Sequence, residues 1–304
     1  MKLHQILHVI SATCSSLVLF TLLVFAIIDL SLVNRVTVRL ICGVAIADLI
    51  SHIAGYLQAE YFTLINTPLC EHLVIFALFG RLLYYFTNLA ICYHLYRAIV
   101  MLKKSTFKYE LIVWFFIMLC IAILMVISHF LGLFTGLSRT VACNPGSTSH
   151  LNNKIAFGIS GTISLITILA GIFTTVQGHR SMSQWIQLYS VKTVEGDFNQ
   201  QDFQKKKIKR AQRSFLYPLG TIITISVETA VQYSWFFTSL PPRPLYTANA
   251  IMNGTNGIIT LITFLLDPAV WDSIKLAKNK IIGLVKGEEN AKVNQIRYEL
   301  SSMP

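Results

Sequence analysis

The chain has 304 residues, 54% of them hydrophobic and only 13% charged, with a mean hydropathy of +0.60 and a formal net charge of +11. A soluble globular domain carries about twice that charged fraction. The composition therefore excludes a soluble fold, and the positive balance reads as membrane topology against anionic lipid rather than as a nucleic-acid surface.

In chain order the apolar residues fall into seven blocks, near 6–30, 39–60, 70–99, 110–134, 154–177, 214–238 and 245–268. Each has the roughly twenty residues that cross a bilayer core as a helix. Alternating ten-residue strands, the other way to satisfy the backbone in lipid, are absent. The first block begins almost at once, is too long for a signal-peptide core and has no small-x-small exit, so it is expected to act as an uncleaved anchor. Residues 1–285 are expected to form one all-α seven-transmembrane-helix bundle, closed by a short amphipathic eighth helix near 270–285, with 286–304 as a tail. An odd number of spans puts the chain ends on opposite sides of the membrane. Twenty Lys and Arg residues, from Arg35 to Arg297, fall on one side and four (Lys2, Arg139, Lys154 and Arg243) on the other. The positive-inside rule then predicts an extracellular N-terminus and a cytosolic tail. The longest inner loop, 178–213, ends in a basic stub holding Lys205, Lys206, Lys207, Lys209 and Arg210. That stub reads as a topology signal in contact with anionic inner-leaflet lipid and as a docking surface for a cytosolic partner.

Ionisable groups inside spans are costly and point to function. Here they are Asp48, Arg81, Glu228 and Asp267. Arg81 lies eleven residues after Cys70, about 16 Å along a helix, where a pocket opening outward would have its floor. It is expected either to pair with Glu228 or Asp48 or to face a ligand, with Tyr84, Tyr85, Tyr233 and Trp235 as aromatic walls. A guanidinium among aromatic rings suits a carboxylate, a phosphate or a planar ring. Asp48 and Asp267 both fall in the inner half. If they meet, one is protonated and bonded to Asn88 or Ser51, or the two share a Na+ ion or proton. At Asp267-Pro268 the proline frees a carbonyl and bends the helix, and Trp271 follows at the interface where indole is favoured. Catalysis finds no support. His52 and His129 have no second His or acid three or four residues further on, G-x-S-x-G is absent, and no C-x-x-C pair occurs.

Several short segments stand in the order and at the depth of G-protein-coupled receptor motifs. A-I-A-D-L (45–49) resembles the Leu-Ala-x-x-Asp of the second helix. H-L-Y-R-A-I-V (94–100) is similar to an Asp-Arg-Tyr motif that has lost its acid. D-P-A-V-W (267–271) resembles Asn/Asp-Pro-x-x-Tyr, followed by an amphipathic S-I-K-L-A-K-N-K. L-Y-P-L (216–219) in the sixth block is most similar to the fungal and amoebal cAMP-receptor-like and glucose-sensing group. The first span lacks Gly-Asn and the sixth lacks Cys-Trp-x-Pro. The resemblance implies a disulfide between Cys70 and Cys143, a switch at Asp267, Pro268 and Trp271, and contact of Tyr96, Arg97 and the basic stub with a heterotrimeric G protein. It also implies cyclic-nucleotide or related signalling in answer to a small polar or anionic extracellular ligand, with a homodimer left open. A seven-helix transporter or channel moving ions past the four buried charges is the alternative, and a ligand-free membrane scaffold is a third.

Overall fold

The computed structural model describes residues 3–60, 67–103, 105–135, 143–192, 215–238 and 242–286. Among them every regular element is helical, and none is a strand. The long helices are α1 (Leu3–Ile28), α2 (Val36–Glu60), α3 (Pro68–Leu95), α4 (Phe107–Phe130), α5 (His150–Lys192), α6 (Leu216–Thr238), α7 (Arg243–Leu266) and α8 (Pro268–Lys286). Six of them, α1 to α5 and α7, are long and apolar enough to cross a membrane, which makes the chain a multi-pass membrane protein. The helix α6 has the length as well. Its apolar character is diluted by Thr221, Thr224, Glu228, Thr229 and Gln232, all buried.

The helix starts follow local chemistry. Thr67 and Thr106 cap α3 and α4, each accepting a hydrogen bond from the backbone N–H three residues on, at 3.3 Å, and Pro68 fills the first turn of α3, where no N–H is needed. The bounds differ from the apolar blocks by a few residues, except at α5. There the helix runs on to Lys192, into the stretch read from sequence as loop 178–213. Hydropathy drops at the membrane boundary, but the backbone ladder needs only helix-compatible residues, and no proline interrupts 178–192. The basic stub and the tail beyond Lys286 lie outside the described residues.

The helices pack in the cyclic order α1, α2, α3, α5, α6, α7 and back to α1, and α4 stands outside this ring against α3. Val18, Ile41, Tyr85, Ile91, Ile225 and Phe264 fill the interior and are essentially inaccessible. The tightest approach joins α1 to α7. The Ser11 hydroxyl donates to the Gly254 carbonyl, and a methyl group at Gly257 would collide with the Ser11 carbonyl and with the Ser15 hydroxyl at 2.7 Å. Backbone cannot swing aside as a side chain can. Gly257→Ala is therefore expected to push α1 off α7 and cost about 1–3 kcal/mol, read as a lowered unfolding temperature in detergent. Gly132, with φ of +68°, turns the chain out of α4.

At the opposite end from Cys70, α7 stops at Leu266. Asp267 adopts an extended conformation, and α8 restarts at Pro268. The expected bend is thus a full break between helices. Three contacts fasten α8 to the α1–α2 connection. Lys280 pairs with Asp29, Arg35 lies 3.8 Å from Asp272, and the Ser273 hydroxyl donates to the Leu32 carbonyl at 3.0 Å. Lys280, together with the Ser31 side chain and backbone, holds the Asp29 carboxyl down at about 2. A carboxyl with a lowered native pKa adds stability that is full above its ordinary value and is lost as pH falls through the native one. The clasp therefore persists through neutral and mildly acid pH and opens only in strong acid. Asp29→Asn is expected to loosen α8 at neutral pH by about 0.5–1 kcal/mol, the usual scale for a partly solvated pair, seen as few-fold faster amide hydrogen exchange in α8 alone.

Candidate functional site

A cleft of about 630 Å³, open space at its mouth included, lies between α3, α4 and α5 in the half of the bundle nearer Cys70. Its walls are apolar, with Leu78 and Leu82 from α3, Leu124 and Ile127 from α4, and Phe157 and Ile163 from α5. Arg81, Ser160 and Gln232 form a polar patch on one side, and Ser128 of α4 and Asn153 of α5 add two polar groups elsewhere in the lining.

Arg81 is paired and at the same time faces the cleft. Its Nε lies 3.1 Å from the Glu228 carboxylate, whose side chain is 8% exposed, while the Arg81 side chain keeps 38% of its surface. Of the alternatives left open by the sequence, the internal pair with Glu228 and the pocket position are both realised. Asp48 is engaged elsewhere. It is buried and accepts a 2.6 Å hydrogen bond from Thr260 of α7.

Behind Arg81 the polar groups form two bonded clusters, one after the other along α6. Gln232 Nε2 lies 3.2 Å from Glu228, 3.2 Å from the Tyr85 hydroxyl and 3.0 Å from the Ser160 hydroxyl, so its two hydrogens serve three acceptors. Its carbonyl accepts from Ser164, which in turn accepts from Thr229. One turn further along α6, the Tyr84 hydroxyl meets Thr224 at 3.1 Å. Thr221 donates to the Asn88 side-chain oxygen at 2.6 Å, and the Asn88 side-chain amide donates to the Tyr84 backbone carbonyl at 2.8 Å. The two clusters follow one another from the cleft along the α3–α6 contact toward the far end of the bundle. In a buried setting such a cluster is stabilising only while every member is satisfied.

The expected aromatic wall stands one layer back. Tyr85 is fully buried beneath Gln232, and Tyr84 turns toward Thr224. Trp235 stacks on Phe157, a lining residue, at 5.4 Å between ring centres, and Tyr233 stacks on Phe237. The sequence reading passed over Gln232, Ser160, Ser164 and Thr229. Their spacing was a signal: Thr221, Thr224, Glu228 and Gln232 mark one face of a helix, as do Ser160 and Ser164.

At the far end, α3 leaves α-helical geometry in a π-helical turn, Tyr96–Val100, closed by a 3.2 Å bond from the Met101 N–H to the Tyr96 carbonyl. Arg97 has no acid before it and lies over the Tyr109 ring at 3.9 Å. Tyr96 packs on Phe173 of α5. His94 is bridged between Thr37 and Ser105, at 3.3 and 3.0 Å. Arg39 forms a two-pronged ion pair with buried Glu110 of α4. Asp267 is buried at the α7–α8 break, Pro268 opens α8, and Trp271 is 46% exposed. Cys70 and Cys143 are joined in a disulfide, with Cα atoms 5.7 Å apart. Among the described residues no group of three His, Cys, Asp or Glu side chains gathers as metal ligands. No known protein family and no curated protein matches the chain.

Proposed function

We propose that the chain is a seven-helix receptor of the plasma membrane that takes a small ligand bearing a polar group in the Arg81 cleft and acts on a heterotrimeric G protein. In this reading α6 is the remaining crossing. It has 23 residues, and its polar groups are tolerable in a bilayer because they are buried against α3 and α5 and bonded there. The Lys/Arg asymmetry of the loops sets the N-terminus outside and α8 in the cytosol.

The observation that carries the proposal is the succession of two polar clusters along α6, Arg81 with Glu228 and Gln232, then Tyr84 and Thr224 with Thr221 and Asn88. A ligand that rearranges Arg81 changes the partners of Glu228, and with them the fit of α6 against α3. Asn88 lies nine residues before Arg97, about 13 Å along the helix. Motion of α6 there reaches the end where Arg97 and the basic stub would meet the G protein. A ligand must prefer the shifted state by several kcal/mol to move the population from one side to the other, about 5.5 kcal/mol for a shift from 1:99 to 99:1.

The test is nucleotide exchange on Gα subunits by the purified chain in nanodiscs, screened against polar metabolites and lipids. Ligand-dependent exchange is expected. Ion or proton flux through the protein in liposomes, with no exchange on any Gα, would replace the receptor by a transporter.

A further inference from the structure

We propose that the occupant of the cleft is a neutral single-chain lipid, an apolar tail carrying one uncharged head that accepts hydrogen bonds, and that it enters sideways from the bilayer between α4 and α5. The inference concerns the ligand of the same cleft on which the receptor reading rests.

The first observation is that the cleft is capped toward the Cys70 end. The loop that begins at Cys143 is tied to α3 by the disulfide. The Gly146 N–H bonds to the Leu133 carbonyl at 3.0 Å, and the Thr135 hydroxyl to the Gly146 carbonyl at 2.9 Å. Asn153 of α5 grips both the N–H and the carbonyl of Ser147, at 2.7 and 2.6 Å. Asn152 reaches the Leu131 carbonyl at the end of α4, at 3.1 Å. Leu133 and Pro145 form the underside of this cap and line the cleft. A solute arriving from water on that side meets a bonded lid.

The second observation is that the side is open. α4 packs on α3, and α5 packs on α6 and α3, but α4 and α5 scarcely touch. Of the residues that α4 and α5 turn to the cleft, only Ser128 is buried. The flanking surfaces of α4, with Phe116, Ile123 and Val126, are exposed and apolar and in a bilayer face acyl chains. The gap therefore opens onto hydrocarbon.

The third observation concerns charge. Among the described residues Arg81 is the only charged one lining the cleft, and Glu228 lies 3.1 Å from it. The floor is an ion pair of zero net charge with hydroxyl and amide donors beside it. An anionic head would gain Arg81 and meet Glu228 behind it, with no second cation lining the site. An ester, amide or hydroxyl head takes hydrogen bonds from Arg81 or Ser160 and leaves the pair intact. The apolar walls suit its tail.

The experiment uses the purified full chain in phosphatidylcholine nanodiscs and a long-chain monoacylglycerol bearing a photoactivatable diazirine and an alkyne tag. After irradiation, tagged peptides are mapped. Labelling is expected to concentrate on 124–131 and 153–163 and to be competed by untagged monoacylglycerol but not by the matching fatty-acid anion. Ala156→Trp, which fills the gap, is expected to lower labelling roughly tenfold or more, a loss of about 1.4 kcal/mol in binding, and Leu165→Trp, on the lipid-facing side of α5, to leave it unchanged. Should Ala156→Trp not fold, Ile127→Trp blocks the gap from α4. Labelling spread evenly over all lipid-facing helices, full labelling in the blocked variant, or equal competition by the fatty-acid anion would each overturn the proposal. The readout is independent of G proteins. Specific labelling without nucleotide exchange removes only the receptor reading, and exchange driven by a ligand that leaves the cleft unlabelled removes only this one.

Discussion

Arg81→Ala is expected to lower stability sharply and to abolish the ligand response, and the two losses are separable. The substitution leaves the Glu228 carboxylate buried without its counter-charge. Removing one partner of a fully buried pair costs about 3–5 kcal/mol, mostly because the other charge is stranded, and the 38% of its surface that Arg81 keeps puts the expected loss at or below the lower end of that range. The double variant Arg81→Ala/Glu228→Gln removes both charges, and the amide that replaces the carboxylate retains groups that can bond Gln232. It should recover most of the unfolding temperature in detergent while remaining unresponsive, because the donor on the cleft floor is still missing. Recovery of the response along with the stability would show that Arg81 acts only as the counter-ion of Glu228. Equal instability of the single and double variants would show that the pair is not the source of the loss.

Cys70→Ser and Cys143→Ser are expected to be equally damaging, and the double variant no worse than either. The bridge closes 73 residues of sequence, and loss of a native disulfide typically costs about 2–5 kcal/mol. Both cysteines are buried beside Val74 and Phe134, so the serines also place hydroxyls in an apolar cluster. The single variants share one bond, so their effects on unfolding temperature must fail to add. Additive losses would mean that packing of the two side chains, rather than the bond, holds the loop that caps the cleft.

These two sites differ in how far the sequence revealed them. Arg81 and Glu228 stood out because charge is rare in apolar segments, and so did Asp48 and Asp267. What a charge pairs with depends on helix rotation and neighbour order, which hydropathy does not encode. For that reason Asp48 could be placed beside Asp267 on paper, whereas its bond is to Thr260. Gln232, Ser160 and Ser164 were quieter still, since such residues occur in any span and matter here only because α5 and α6 bring them together. The position of α4 outside the ring was not legible either. The apolar run of α4 looks like any other, and its looseness against α5 is a property of the assembly. The end of α5 failed in the opposite sense. Helical structure continued where hydropathy stopped, because hydrogen bonding along the backbone is indifferent to which solvent surrounds it.

The wide turn at Tyr96–Val100 has a genetic consequence. A π turn holds one residue more than the α turn it replaces, so a single codon can be lost there with little change of facing on either side. Deleting one residue would restore α-helical winding through this turn, whereas the same deletion within α3 would rotate one side of the helix against the other by about 100°. Loss of one residue at 96–100 is thus expected to be tolerated better than loss of one residue within α3.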